Sequence, residues 1–148
     1  MRKIVLFVLV GLLSSTLHAQ ILKPVKWSYA AKRVSKTEAV VLIKATIENG
    51  WHIYSQHVGE GGPIPTSFTF SPSKTYTVQG KTIEPKPVSK FEKTFNMNVS
   101  YFEKSVVFQQ RVKLNAAQAA VKGKLEFMAC DDHQCLPPEE VEFSIPVK

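Results

Sequence analysis

The chain has 148 residues, 44% of them hydrophobic, and 19 Lys and Arg against 12 Asp and Glu, for a formal charge of +7. That length is enough for one domain with its own core. The basic excess is dispersed rather than gathered into blocks interleaved with aromatics, so the sequence carries no nucleic-acid footprint and its charge reads as solubility and steering toward an acidic partner.

At the N-terminus Arg2 and Lys3 precede an apolar run over 4–13, and Ser14, Ser15, Thr16, Leu17, His18 and Ala19 follow it. A basic start, a short apolar stretch and a small residue at the cut describe a secretory signal peptide. The run is too short to span a bilayer comfortably. Cleavage is expected after Ala19, which removes Arg2 and Lys3, lowers the formal charge from +7 to +5 and leaves a single domain over 20–148. No second apolar stretch has membrane length, so stable membrane insertion is not expected. The expected destination is an oxidising compartment, where a disulfide persists.

The chain then reads as strands. A short strand is predicted at 27–30 and a turn at 32–37. The segment 39–48 is a strong strand, rich in the β-branched Val40, Val41, Ile43, Thr46 and Ile47. Asn49-Gly50 is a hairpin signal, since both residues tolerate positive φ, and apolar character resumes at Trp51-His52-Ile53-Tyr54. Gly59, Gly61, Gly62, Pro63 and Pro65 mark a loop. Phe68 and Phe70 alternate with polar neighbours in a strand over 66–71. Tyr76 and Val78 indicate a short strand before Gly80. Pro85 and Pro87 make 83–93 edge strand or loop. Strand material continues over 99–112, with a turn at Glu103-Lys104. The helix-favouring run 116–120 is too short to nucleate a helix alone. Eight or nine short strands at regular spacing predict an all-β antiparallel sandwich.

The chain is organised around 127–138, which holds both cysteines, Cys130 and Cys135, and closes on Pro137-Pro138. Leu125 and Phe127 alternate with polar residues before it; Val141, Phe143, Ile145 and Val147 do so after it. Two period-two runs around a turn-rich segment read as a β-hairpin with a cysteine near each shoulder. Opposed shoulder positions meet the geometry a disulfide demands. Three uses of the pair compete. As a structural staple, so small a ring stabilises by only about 2 kcal/mol. As a redox-active pair, an accessible surface bridge is open to attack by a thiolate; His133, when protonated, would favour a thiolate there, while Asp131 and Asp132 would disfavour one. As a metal site, Cys130, Cys135 and His133 would need His52 or His57, but the paired spacings of structural zinc are missing. No metal or other cofactor is therefore expected, and His52 and His57 read as ordinary strand and loop residues.

Cys130-Asp131-Asp132-His133-Gln134-Cys135-Leu136-Pro137-Pro138, together with Asn49-Gly50-Trp51-His52-Ile53-Tyr54, resembles the N-terminal periplasmic domain of the thiol–disulfide interchange protein DsbD. The similarity runs from about Trp27 to Val147. It implies an immunoglobulin-like β-sandwich in the periplasm that accepts electrons from a thioredoxin-like partner and passes them to oxidised proteins. By position it implies that Cys135 forms the mixed disulfide and Cys130 resolves it. It also implies that Phe95 caps the disulfide and that Tyr54 lines its pocket. The better-known members have one more residue between the cysteines. They also have acidic residues where this chain has Lys93 and Thr94. The family's membrane conduit and thioredoxin-like domain have no counterpart in the chain, so a membrane electron carrier on a separate chain is the expected source of electrons. The rival expectation is a non-catalytic binding or assembly module with a structural disulfide, since immunoglobulin-like folds host many functions.

Overall fold

The computed structural model describes residues 22–148, and the expected signal peptide lies outside them. Against the eight or nine strands expected, the described residues form eleven: β1 (Val25–Arg33), β2 (Glu38–Ile47), β3 (His52–Tyr54), β4 (Ser67–Phe70), β5 (Tyr76–Ile83), β6 (Val88–Glu92), β7 (Met97–Glu103), β8 (Ser105–Leu114), β9 (Ala119–Phe127), β10 (Ala129–Cys130) and β11 (Glu139–Val147). There is no helix among the described residues. The run 116–120 is bend and then the start of β9, because Ala119 and Val121 are drawn into the core.

One layer has the order β1-β2-β8-β5. Along β8, Val106, Phe108, Gln110, Val112 and Leu114 are buried and their neighbours are not, the signature of a sheet with one face on the core. The facing layer combines β11-β9-β4 with β10-β3-β7-β6. β9 passes into β10 across the single residue Met128, and there the chain exchanges β4 and β11 for β3 as its neighbour. Rings lock the layers together. Trp27 of β1 meets Phe127 of β9 at 5.3 Å, and Phe108 of β8 meets Phe68 of β4 at 4.9 Å and Phe102 of β7 at 5.9 Å. Every sheet pairing between strands is antiparallel, and the fold is the expected immunoglobulin-like β-sandwich.

Two turns differ from their sequence reading, and a third, expected at Glu103-Lys104, is found there. Asn49-Gly50 does turn tightly, with Gly50 at φ 84° and the Trp51 N–H donating to the Glu48 carbonyl at 3.1 Å. It makes no hairpin, however. β2 is already hydrogen-bonded to β1 on one edge and β8 on the other, so no edge is free for β3, and the turn carries the chain into the opposite layer. Lys104, at φ 63°, does the same between β7 and β8. Gly80, at φ 68°, does not end a strand but sits within a bulge of β5. The buried Gln110 amide completes that bulge, accepting from the Thr82 hydroxyl at 2.9 Å and donating to the Gln79 carbonyl at 2.8 Å.

Gly123 of β9 stands between Phe70 of β4 and Phe143 of β11. A Cβ there would lie 2.3 Å from the Thr69 carbonyl oxygen and 2.8 Å from the Phe143 ring. A backbone oxygen cannot rotate aside, so the two strands would have to part. Gly123→Ala is expected to lower the unfolding free energy by about 1–3 kcal/mol, as overpacking does, read as a lower denaturant midpoint. An unchanged midpoint would show that β4 can yield without cost.

Candidate functional site

β9 and β11 form the predicted hairpin, in register from Glu139 opposite Phe127 to Val147 opposite Ala119. The cysteines sit not at its shoulders but in a smaller ribbon nested within its loop. Cys130 and Cys135 face each other as an antiparallel bridge and are joined by a disulfide, their Cα atoms 4.1 Å apart. Four hydrogen bonds shape this ribbon. The Leu136 N–H donates to the Ala129 carbonyl and the Asp131 N–H to the Gln134 carbonyl, both at 2.9 Å. The Asp131 carboxylate accepts the N–H groups of His133 and Gln134, both at 2.7 Å. This is the aspartate turn chemistry that local sequence favours. The His133 N–H, then that of Gln134, holds the Asp131 carboxyl below the usual carboxylate range.

The two sulfur-bearing residues have opposite environments. Cys130 belongs to β10 and is 1% exposed, packed with Tyr54, Val99 and Tyr101 and flanked by Val58, Met97 and Met128. Cys135 is exposed, as are Asp132, His133 and Gln134 around the tip. A nucleophile arriving from solvent therefore meets Cys135, while Cys130 faces the protein.

Tyr54 is fully buried in the Cys130 cluster, and burial, reinforced by Glu92, pushes its phenol up to about 12. Its backbone carbonyl accepts the Thr66 hydroxyl at 2.6 Å. Phe95 is half-buried in the β6–β7 turn, outside both apolar clusters, while Met97, two residues on, packs against the Cys130 cluster. His133 points no side-chain hydrogen bond at the sulfurs; its contribution is its backbone N–H. Both sulfurs are committed to each other, and no group of three His, Cys, Asp or Glu among the described residues could hold a metal ion. Clefts of about 1250, 550 and 400 Å³ are lined by residues away from the disulfide.

A family model described as the N-terminal domain of the thiol:disulfide interchange protein DsbD matches residues 18–146. The chain belongs to the DsbD N-terminal domain family. Among solved structures it is similar to the N-terminal periplasmic domain of ScsB from Proteus mirabilis, with 18% identity and a TM-score of 0.59, covering 85% of this chain and 47% of that one. It thus spans about half the length of that structure. It is also similar to the reduced DsbD N-terminal domain of Neisseria meningitidis, with 18% identity and a TM-score of 0.50, covering 79% of this chain and 82% of that one. The DsbD N-terminal domain in complex with the PilB N-terminal domain, from the same organism, gives 17% identity and a TM-score of 0.55, covering 84% and 87%. No curated protein matches the sequence. At these identities the structural likeness is one of fold, and the family model is what places the chain among DsbD N-terminal domains.

One residue of this family member's site escaped the sequence reading. His52 is directly opposite Cys130 in the β3–β10 pairing and is 4% exposed. Its Nε2 is 3.2 Å from the Tyr54 hydroxyl, and its ring packs edge-on against Tyr54 and Tyr101 at 5.3 and 5.2 Å. The signals in the sequence were its place in the Asn49–Tyr54 segment and its two-residue spacing from Tyr54, which puts both side chains on one face of a strand.

Proposed function

We propose that this domain is a periplasmic thiol–disulfide exchange module that takes electrons from a thioredoxin-like donor and reduces oxidised partner proteins through Cys130 and Cys135. The observation that carries the reading is the asymmetry of the bridge, with one sulfur-bearing residue facing solvent and the other sealed in an apolar cluster. A donor thiolate attacks the Cys135 sulfur; the S–S bond to Cys130 breaks and Cys130 leaves with the electron pair. The donor's second thiol then attacks its own sulfur in the mixed disulfide, and Cys135 is released as a thiolate. With an oxidised partner the sequence reverses: Cys135 attacks, the partner's sulfur leaves, and Cys130 resolves the mixed disulfide. Each step exchanges one S–S bond for another, so no cofactor is required.

The hydrogen-bonded ribbon supports this cycle because hydrogen bonds shape its turn in addition to the S–S bond. Four backbone-anchored bonds hold the two residues opposite each other, which keeps the resolving thiol at high effective concentration. Phe95 is assigned the cap: its turn borders the Cys130 cluster through Met97, and a ring there would shield the bridge until a partner displaces it. A membrane electron carrier on a separate chain would recharge the donor. Export by the 1–19 leader would bring the domain to the periplasm.

The reduction potential of the purified domain tests the reading against that of a non-catalytic module with a structural bridge. A potential above about −300 mV is expected for a bridge that cycles, because structural disulfides lie below that value and resist the thiol pool. A value well below it would leave Cys130–Cys135 as a staple.

A further inference from the structure

We infer that His52 is the base that takes the Cys130 thiol proton when the mixed disulfide on Cys135 is resolved. The inference rests on the exchange reading above and concerns its second half. Residues paired across an antiparallel ladder project from the same face with Cβ atoms about 5 Å apart, and His52 is so paired with Cys130. Tyr54, two residues along the same strand, packs against Cys130, and the His52 ring contacts both Tyr54 and Tyr101 of that cluster. The imidazole and the sulfur therefore share one buried pocket.

Such a pocket creates a chemical problem for Cys130. The resolving nucleophile must be a thiolate, and burial among apolar side chains raises a thiol's pKa and leaves it protonated at neutral pH. Solvent cannot readily remove the proton from a residue that is 1% exposed. His52 can. In the tautomer whose Nε2–H donates to the Tyr54 hydroxyl oxygen, 3.2 Å away, Nδ1 keeps a lone pair for the thiol proton. The Cys130 S–H proton passes to Nδ1, and the sulfur's electron pair attacks Cys135. The S–S bond between Cys135 and the partner breaks, the partner leaves as a thiolate, and the imidazolium returns its proton to that thiolate or to water.

The surroundings keep the imidazole neutral and so able to accept. Burial pushes its pKa below the usual value, and Lys90 of β6 adds to this; Glu92 of β6, Glu103 of β7 and Asp132 of the cysteine turn oppose it. Of the two phenols against the ring, Tyr54 and Tyr101, that of Tyr54 is pushed up to about 12 by burial and is neutral at pH 7. A lowered pKa means that the base is neutral at pH 7 and is lost only as pH falls through a value below that of an ordinary histidine.

The test mixes the full reduced protein with dithiobis-nitrobenzoate and follows release of the coloured thiolate. The first equivalent reports attack by Cys135, the second resolution by Cys130. In the wild type the second phase is expected to be flat from about pH 7 to about pH 8.5, because the base is already neutral there. In His52→Phe the first phase should be unchanged. Its second phase should be slower by about tenfold at pH 7 and rise about tenfold per pH unit as the thiol ionises unaided. His52→Gln, which can still hydrogen-bond Tyr54 but is no base, should lose the same step; it guards against a packing defect in the first variant. A wild-type second phase that climbs tenfold per unit, or variants that resolve as the wild type does at every pH, would overturn the inference. Loss of the first phase in the wild type would instead remove the exchange reading, and this inference with it.

Discussion

Replacing Cys130 by serine should turn the domain into a trap. Offered an oxidised partner, the variant is expected to accumulate a covalent one-to-one adduct through Cys135, visible on a non-reducing gel and abolished by dithiothreitol. Cys135→Ser should form none, because the remaining sulfur is buried in the Tyr54–Val99–Tyr101 cluster and meets no partner. Turnover should fall at least about a hundredfold in both variants, since each removes a nucleophile that the cycle cannot replace. The contrast between the two is the informative part: loss of either cysteine would weaken a staple equally, by about 2 kcal/mol, whereas only an ordered exchange makes one trap and one inert protein. Equal adduct from both variants would overturn the assignment of Cys135 as the residue partners meet.

The largest effect on stability is expected at Phe108. Its ring is fully buried and meets Phe68 at 4.9 Å, Phe102 at 5.9 Å and Trp27 at 6.2 Å, so it touches β1, β4 and β7 at once. Truncation opens a cavity that three packed strands cannot close together, and Phe108→Ala should cost about 3–5 kcal/mol. That is a large share of the 5–15 kcal/mol, roughly, by which a domain is stable. Urea unfolding of the oxidised protein measures it, with Ile83→Ala on an exposed position as the comparison, expected within about 0.5 kcal/mol of the wild type. A loss at Phe108 no larger than at Ile83 would mean that the two layers are not held through this ring.

Much of the strand content was readable along the chain. The β-branched run Val40, Val41, Ile43, Thr46 and Ile47 marks β2 without coordinates, and the alternation of Phe143, Ile145 and Val147 marks β11. β6 was harder: Val88 and Phe91 are exposed, so its apolar residues mark no core face. The strands β3 and β10 are three and two residues long, too short for any period to register.

The sequence by itself determined the local pieces of this protein: strands from two-residue alternation, the β9–β11 hairpin from proximity in the chain, and the cysteine turn from an aspartate able to accept the N–H groups two and three residues on. These depend on neighbours a few residues apart, where side-chain period and turn chemistry act directly. Only the tertiary structure decided which edges meet. Asn49-Gly50 became a passage between layers because both edges of β2 were occupied. Placing β10 beside β3 buried Cys130, left Cys135 in solvent and set His52 opposite Cys130 in the ladder. Such pairings are chosen by the competition of all strands for partners and for the core, and no local pattern around His52 or Cys130 records its outcome.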